Sequence, residues 1–281
     1  MIVLLLLGGW GVAPAGETNA ITAAKTPTFL NLIKEYPVAL LNTGGKSLNA
    51  RYLTLGSGQE IAAENIEPEI TLSAVISAAG LKQIKIAETE MFAALTHFFN
   101  GHHENRLPGE DWKIISSTIG SKKAKLSLTL SRTVREIIKT INSEEAPSFL
   151  AAAIPYLDLT AAGGDFSENK KAVETVDKVL KDIFLAVSAK NGILIITAAG
   201  GNVEKTRNLV TDLPDISLTA NPVPLLIVGS EFKGRTIGLA DPLASDLSSL
   251  TPAGTLADLA PTILKIMKLD KPAEMTGKSL I

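Results

Sequence analysis

An α/β fold with a mostly parallel central sheet, flanked by helices on both faces as a three-layer sandwich, is predicted by three observations. Continuous apolar runs such as Ile2–Leu7 and Ile193–Thr197 have the pattern of strands buried on both faces. Amphipathic stretches with apolar residues at helical spacing alternate with those runs. Glycine pairs follow several of them, as tight turns at strand ends require. A chain of 281 residues can bury one large core, and no internal repeat, low-complexity tract or long linker divides it. One domain over residues 1–281 is expected.

Ile2–Leu7 is the first strand and Gly8-Gly9-Trp10-Gly11 its closing turn. The run lacks a basic leader region and is much shorter than the roughly 20 residues that cross a bilayer, so it reads as core. Thr26 offers an N-cap with Pro27 at the first helical position, and Phe29, Leu30, Leu32 and Ile33 supply an apolar face. Ala39–Leu41 and Gln83–Ala87 are the next strands. Thr133 and Glu136 have capping-box spacing ahead of Val134, Ile137, Ile138 and Ile141, which recur at helical period. That helix leads into a strand at Ser148–Ile154, closed by Pro155. Ser167 is expected to cap a long helix whose stripe is Val173, Val176, Leu180, Ile183, Phe184 and Val187, with Gly192 ending it. Ile193–Thr197 and Val223–Val228 are strands, and Pro224 suggests an edge or a strand start for the second. A last helix begins near Asp258 and Pro261 and buries Leu259, Ile263, Leu264 and Met267.

Composition narrows the chemistry. A net charge of −2 gives no electrostatic footprint for nucleic acid or an anionic membrane. The absence of cysteine excludes disulfides, thiolate metal sites and cysteine nucleophiles, and a cytoplasmic location is expected. Gly8-Gly9, Gly44-Gly45, Gly163-Gly164 and Gly200-Gly201 lack the lysine and hydroxyl of a phosphate-binding loop and read as turns. His97, His102 and His103 lie around a Pro-Gly turn and read as a surface loop in preference to a metal site. Trp10 and Trp112 read as packing residues, and Ser57 lacks the frame of a nucleophile elbow.

Eight blocks in chain order carry a resemblance: LLLLGGWG (Leu4–Gly11), NAITAAKTPTFLNLIKEYP (Asn19–Pro37), LKQIKIAETE (Leu81–Glu90), FFNG (Phe98–Gly101), PGED (Pro108–Asp111), KAVETVD (Lys171–Asp177), NPVP (Asn221–Pro224) and LADLAPTILKIM with PAEMTGKSLI (within Leu256–Ile281). Together they resemble cofactor-independent phosphoglycerate mutase. The resemblance implies an alkaline-phosphatase-like core, two manganese ions, a serine nucleophile and an inserted domain that closes over the substrate. Such two-metal phosphoryl transfer needs hard oxygen and imidazole ligands converging from several strand ends.

Position by position, those ligands are replaced. The aspartate of the family motif DGWG falls on Gly8. The serine of GNSEVGH falls on Leu48 in an ungapped register, with Ser47 one position away. In NPDMVGH the aspartate is kept as Asp158 while the histidine is Ala162. TADHGN reads Thr197-Ala198-Ala199-Gly200-Gly201-Asn202, so its aspartate and histidine are Ala199 and Gly200. The last histidine motif, before NPVP, has no histidine in Asp215–Ala220, with Leu218 at the matching place. The lysine of AETEK is Met91, with Glu88 and Glu90 kept. Residues 60–80 are the expected remnant of the inserted domain; they hold Glu64, Glu67 and Glu69 but no arginine to clamp a phosphate.

The expectation is a catalytically inactive phosphoglycerate-mutase-like protein that binds no metal cofactor and acts by binding, with a protein partner such as an active mutase. Asp158 is expected to be a solvated or helix-capping carboxylate. One alternative is residual or altered mutase or phosphotransferase activity, which needs groups from Asp158, Asp165, Glu88, Glu90 or the histidines to converge. Another is a small phosphorylated metabolite bound in a neutral, glycine-lined cleft.

Overall fold

The computed structural model describes residues 1–117, 123–163, 165–208, 211, 213–237 and 246–281. In chain order these form β1 (Ile2–Leu7), α1 (Ala20–Ala23), α2 (Pro27–Glu35), β2 (Val38–Asn42), α3 (Leu48–Ser57), α4 (Leu72–Ala78), β3 (Gln83–Glu88), a π-helical turn (Ala94–Phe98), β4 (Glu110–Ile115), α5 (Lys123–Asn142), β5 (Phe149–Ile154), α6 (Tyr156–Ala161), α7 (Phe166–Ala189), β6 (Ile193–Thr197), β7 (Val223–Val228), β8 (Gly254–Thr255) and α8 (Leu259–Met267). The strands make one eight-stranded sheet in the order β4-β3-β5-β1-β6-β7-β2-β8. Only β7 runs antiparallel to its neighbours, so β1, β2, β3, β5 and β6 end on the same edge. Helices α1, α2, α5 and α6 pack around α7, while α3, α4, α8 and the π-helical turn pack together as the other layer.

Strand β1 explains the centre of this arrangement. Its six apolar residues are all buried, and it pairs in parallel with β5 on one side and β6 on the other. Alternating side chains point to opposite faces, so a strand in the middle of a three-layer fold must be apolar at every position. Each buried leucine there contributes roughly 1.5–3 kcal/mol.

Several blocks that carry the family resemblance make the buried polar bonds of this scaffold. The side chain of Asn19 accepts from the Ile21 and Thr22 amides and caps α1. The carboxylate of Asp177 on α7 accepts from the Thr28 amide (3.1 Å) and the Phe29 amide (2.8 Å), so it caps α2 from another helix. Thr26, expected in that role, makes no side-chain cap bond, although Pro27 does open the helix. Near the end of the chain Asp258 closes a capping box with Thr255 and also accepts from the Lys278 amide at 2.8 Å.

Lysine 85 on β3 is a further knot. Its ammonium lies 2.6 Å from Glu110 Oε1 and 2.9 Å from Ser73 Oγ, bonds to Asn100 Oδ1, and stands 5.3 Å from the Phe99 ring centroid. Asn100 Nδ2 in turn donates to Glu110 Oε1 at 2.9 Å, and Glu110 Oε2 accepts from the Leu107 amide. Both charged side chains are fully buried. Burial pushes the Lys85 ammonium down to about 8, opposed by Glu110. Burial alone would raise the Glu110 carboxyl, but the Lys85 charge and the bonds from Asn100, Lys85 and Leu107 hold it below its ordinary value. The knot ties the LKQIKIAETE, FFNG and PGED blocks to α4.

Some expectations are corrected. Thr133 does not start a helix: it lies inside α5, where its hydroxyl donates to the Thr129 carbonyl and to Glu88 Oε1. Asp165, not Ser167, caps α7, because its carboxylate reaches the Glu168 amide at 2.7 Å. The left-handed residue after α7 is Asn191 (φ 51°), one position before Gly192. Strand β7 is interior, not an edge. Pro224 is tolerated there because β7 pairs with β6 only from Leu226 onward, and the Ile227 amide points to the β2 side, so the absent Pro224 N–H faces past the end of β6. Met267 is only half-buried. Strand β4 and helices α3 and α4 were not expected from the sequence.

Replacing Lys85 by Met leaves Glu110 as a buried, unpaired acid. It is expected to destabilise the protein by about 3–5 kcal/mol in urea unfolding monitored by circular dichroism.

Candidate functional site at the carboxyl edge of the sheet

Loops leaving β1, β2, β5 and β6 converge where an α/β protein builds its site. The turn after β1 is fixed by Gly9, whose φ of +84° is strained for any residue with a side chain, and by a bridge from Gly9 to Gly201. The Gly9 carbonyl accepts from the Asn202 and Val203 amides at 3.1 and 3.2 Å, so the loops after β1 and β6 are held together.

Asp158 lies in the first turn of α6, just after β5, and its carboxylate is turned toward the glycines. A Cβ on Gly8 would overlap Asp158 Oδ2, and one on Gly9 would stand 2.9 Å from Asp158 Oδ1. The carboxylate thus fills the space that a side chain at position 8 would need. Burial pushes its carboxyl up to about 7, with the Glu204 charge adding to the effect. Asp158 is half-buried and does not cap α6, whose N-cap is Pro155. The Tyr52 phenol is raised by burial and by the Asp158 charge.

Glu204, which the sequence reading did not single out, is 2% exposed. Its Oε1 accepts from Thr219 Oγ1 and from Asn221 Nδ2 (3.0 Å), while Oε2 has no hydrogen-bond partner among the described residues. A Cβ on Gly11 or on Gly201 would run into this carboxylate. Two glycines therefore make room for one buried acid.

Arg51 on α3, 3% exposed, completes the cluster. Its guanidinium donates to three carbonyls: Gly45 (3.0 Å), Ala199 (3.4 Å) and Thr219 (3.0 Å). A Cβ on Gly200 would overlap both Arg51 Nη1 and Leu218 Cδ1. Burial lowers the Arg51 pKa, and the Glu204 charge opposes that shift. In the ungapped register given above, Arg51 falls on the glycine of GNSEVGH and Tyr52 on its histidine. This chain thus has a large cation where the implied motif has glycine, and Ala199 and Gly200 opposite it where the resemblance implies larger side chains. That exchange was the available sequence signal.

The other named positions are scattered. Ser47 is the N-cap of α3: its hydroxyl accepts from the Ala50 amide at 3.2 Å and donates to Glu64 at 3.1 Å. Leu48 is the first residue of that helix and Met91 is buried after β3. Ala162, just past α6, is exposed, and Ala199 is buried. Glu88 is buried and pushed up to about 7 by burial, with Thr133 opposing and Glu90 adding to the rise. Glu90 is exposed and accepts from the Ser117 hydroxyl. The charged neighbour of Glu88 is Glu90 and that of Asp158 is Glu204, so the acids form two separate spots. Asp165 is occupied as the cap of α7. His97 Nε2 and His102 Nδ1 lie 3.2 Å apart and His102 Nε2 meets the Ile66 carbonyl, while His103 is exposed. Trp10 packs on Phe29 with ring centroids 4.7 Å apart, and Trp112 meets Phe92 edge-on. Ser57 is buried and accepts from the Gln59 amide. Gly164 lies outside the described residues.

These residues do not fit a pair of divalent ions. Gly8, Ala162, Ala199, Gly200 and Leu218 carry no ligand atom, and a guanidinium lies against Gly200. Among the described residues no three His, Cys, Asp or Glu side chains group as a metal would require.

The chain belongs to the Metalloenzyme superfamily, whose sequence profile matches residues 1–271. Within it, the chain is similar to 2,3-bisphosphoglycerate-independent phosphoglycerate mutases: it is 38% identical to that of Desulforudis audaxviator over 212 residues, 75% of this chain but only 38% of that protein. The chain thus spans about two-fifths of the length of that curated relative. The fold is shared with a protein of the alkaline phosphatase superfamily from Vibrio parahaemolyticus (TM-score 0.61, 15% identity, 99% of this chain and 69% of that one). It is shared equally with a 2-O GAG sulfatase (TM-score 0.65, 15% identity, 99% and 73%). The predicted alkaline-phosphatase-like α/β sandwich is the observed fold. No helix among the described residues is long and apolar enough to cross a membrane.

The raised carboxyl of Asp158 sets a pH dependence. Between its ordinary value of 3.8 and about 7 the folded protein holds a proton that the unfolded chain has lost, so this group's contribution to stability falls as pH rises through that window. Asp158→Asn removes the ionising group. In urea unfolding the variant should gain on the parent from pH 5 to pH 8, reaching an advantage of about 1–3 kcal/mol.

Proposed function

We propose that this chain is a catalytically inactive, phosphoglycerate-mutase-like protein of the cytoplasm that acts by binding a protein partner. The observation that carries the reading is the state of the carboxyl edge, where Gly8, Ala199 and Gly200 stand in place of the ligands implied by the resemblance and Arg51, Leu218 and Asp158 fill the space. Two-metal phosphoryl transfer depends on cations that neutralise the transferring oxygens, and one buried acid, one half-buried acid and a guanidinium do not supply such a site. The nucleophile position fares no better: Leu48 has no hydroxyl, and Ser47 is engaged as a helix cap.

The scaffold meanwhile keeps its buried bonds, including Asp177 to α2, the Asp258 capping box and the Lys85–Glu110 pair. A fold maintained at this level beside a dismantled site favours a role in recognition. An active mutase is one partner that the kinship makes reasonable. A small phosphorylated ligand is less well supported, because the glycine-lined space is taken by this chain's own side chains.

Calorimetric titration with manganese chloride should show no stoichiometric site, and the purified protein should turn over neither phosphoglycerates nor a generic phosphomonoester. A tight manganese site, or interconversion of phosphoglycerates by this chain alone, overturns the inactive reading. Affinity capture from native cells should return a specific protein that binds the purified chain directly; recovery of none would remove the partner.

A further inference from the structure

We propose that Arg51 is a tethered cation that substitutes for metal charge in a rebuilt cleft, balancing the buried Glu204 carboxylate while its donors clamp the loops after β2, β6 and before β7. The proposal deepens the inactive reading, resting on the misfit between these residues and a metal pair.

A buried acid needs a compensating charge or a full set of donors. Glu204 has donors on Oε1 only, and Oε2 is buried and unpartnered among the described residues. The buried Arg51 guanidinium supplies an opposite charge through space, with no direct ion pair between the two side chains among the described residues. The two are also linked through one residue. Thr219 gives its carbonyl to Arg51 Nη2 and its hydroxyl to Glu204 Oε1. A metal ion would bind loops by accepting their lone pairs; the guanidinium does so by donating to the carbonyls of Gly45, Ala199 and Thr219.

Steric exchange makes the substitution specific. The guanidinium occupies the place of any side chain at Gly200, and Glu204 occupies that of any side chain at Gly11 or Gly201. Arg51 itself stands where the family's nucleophile motif has glycine. Small residues thus face each charged one. Random loss of ligands would leave a void or a water-filled cleft; here the volume is refilled by a cation and two acids.

The test is a double-mutant cycle on the full chain, read by urea unfolding. Arg51→Met should lower the unfolding midpoint, because it strands Glu204. Glu204→Gln should cost at least tenfold less in the unfolding equilibrium constant in the Arg51→Met background than in the parent, a coupling of about 1.4 kcal/mol or more. If Arg51→Met does not fold, the same cycle is run with Arg51→Gln, which keeps an amide donor but no charge, and the same sign of coupling is expected. Additive effects within the cycle overturn the tethered cation while leaving the inactive reading standing. Detection of a manganese site in the parent protein is the separate result that would remove the inactive reading.

Discussion

Charge inside a protein has to be answered by charge or by hydrogen bonds, and that constraint organises both ends of this sheet. At the carboxyl edge, the half-buried Asp158 feels the charge of the buried Glu204, and Thr219 links Glu204 to the Arg51 guanidinium. Near the start of β3 and β4, Lys85 and Glu110 answer each other at 2.6 Å with Asn100 and Ser73 taking up the remaining bonds. The second arrangement is closed: every polar partner is present, and it joins strands, a helix and a π-helical turn. The first is less complete, since Glu204 keeps an orphan oxygen and Asp158 has a raised pKa.

This contrast separates what the kinship preserves from what it does not. Asn19, Lys85, Asn100, Glu110, Asp177 and Asp258 lie in the blocks that resemble the mutases, and each makes buried bonds between elements distant in sequence or caps a helix. Those bonds build the fold. The strand tips, where the resemblance implies metal ligands, hold Gly8, Ala199 and Gly200 in this chain. Kinship in this chain is therefore mostly scaffold, and fold alone does not transmit function.

Much of the scaffold was legible in the sequence because its signals are strong and local. The unbroken apolar runs of β1 and β6 and the stripe of α7 leave little choice of structure. Helix α3 escaped notice because it is buried nearly all round, so Leu48–Ser57 shows little amphipathic period. Strand β4 escaped because its run Glu110-Asp-Trp-Lys-Ile-Ile is polar, as suits a strand at the sheet edge. Helix α5 starts earlier than expected because a threonine within a helix can bond back to the preceding turn, and capping-box spacing at Thr133 imitates a start. At the site, the losses were legible position by position, but their replacements were not. Arg51, Glu204 and Leu218 meet at Gly200 and Thr219 only once the loops after β2 and β6 are brought together.

The glycine at position 8 also constrains which substitutions the cleft accepts. An aspartate placed there would find the Asp158 carboxylate already in its space, and an imidazole at position 200 would meet Arg51 and Leu218. Either side chain enters only if its neighbour, Asp158 or Arg51 with Leu218, moves aside. Substitutions at positions 8 and 200 are therefore coupled to positions 158, 51 and 218: a larger residue at either glycine is accommodated together with a change in the side chain that faces it.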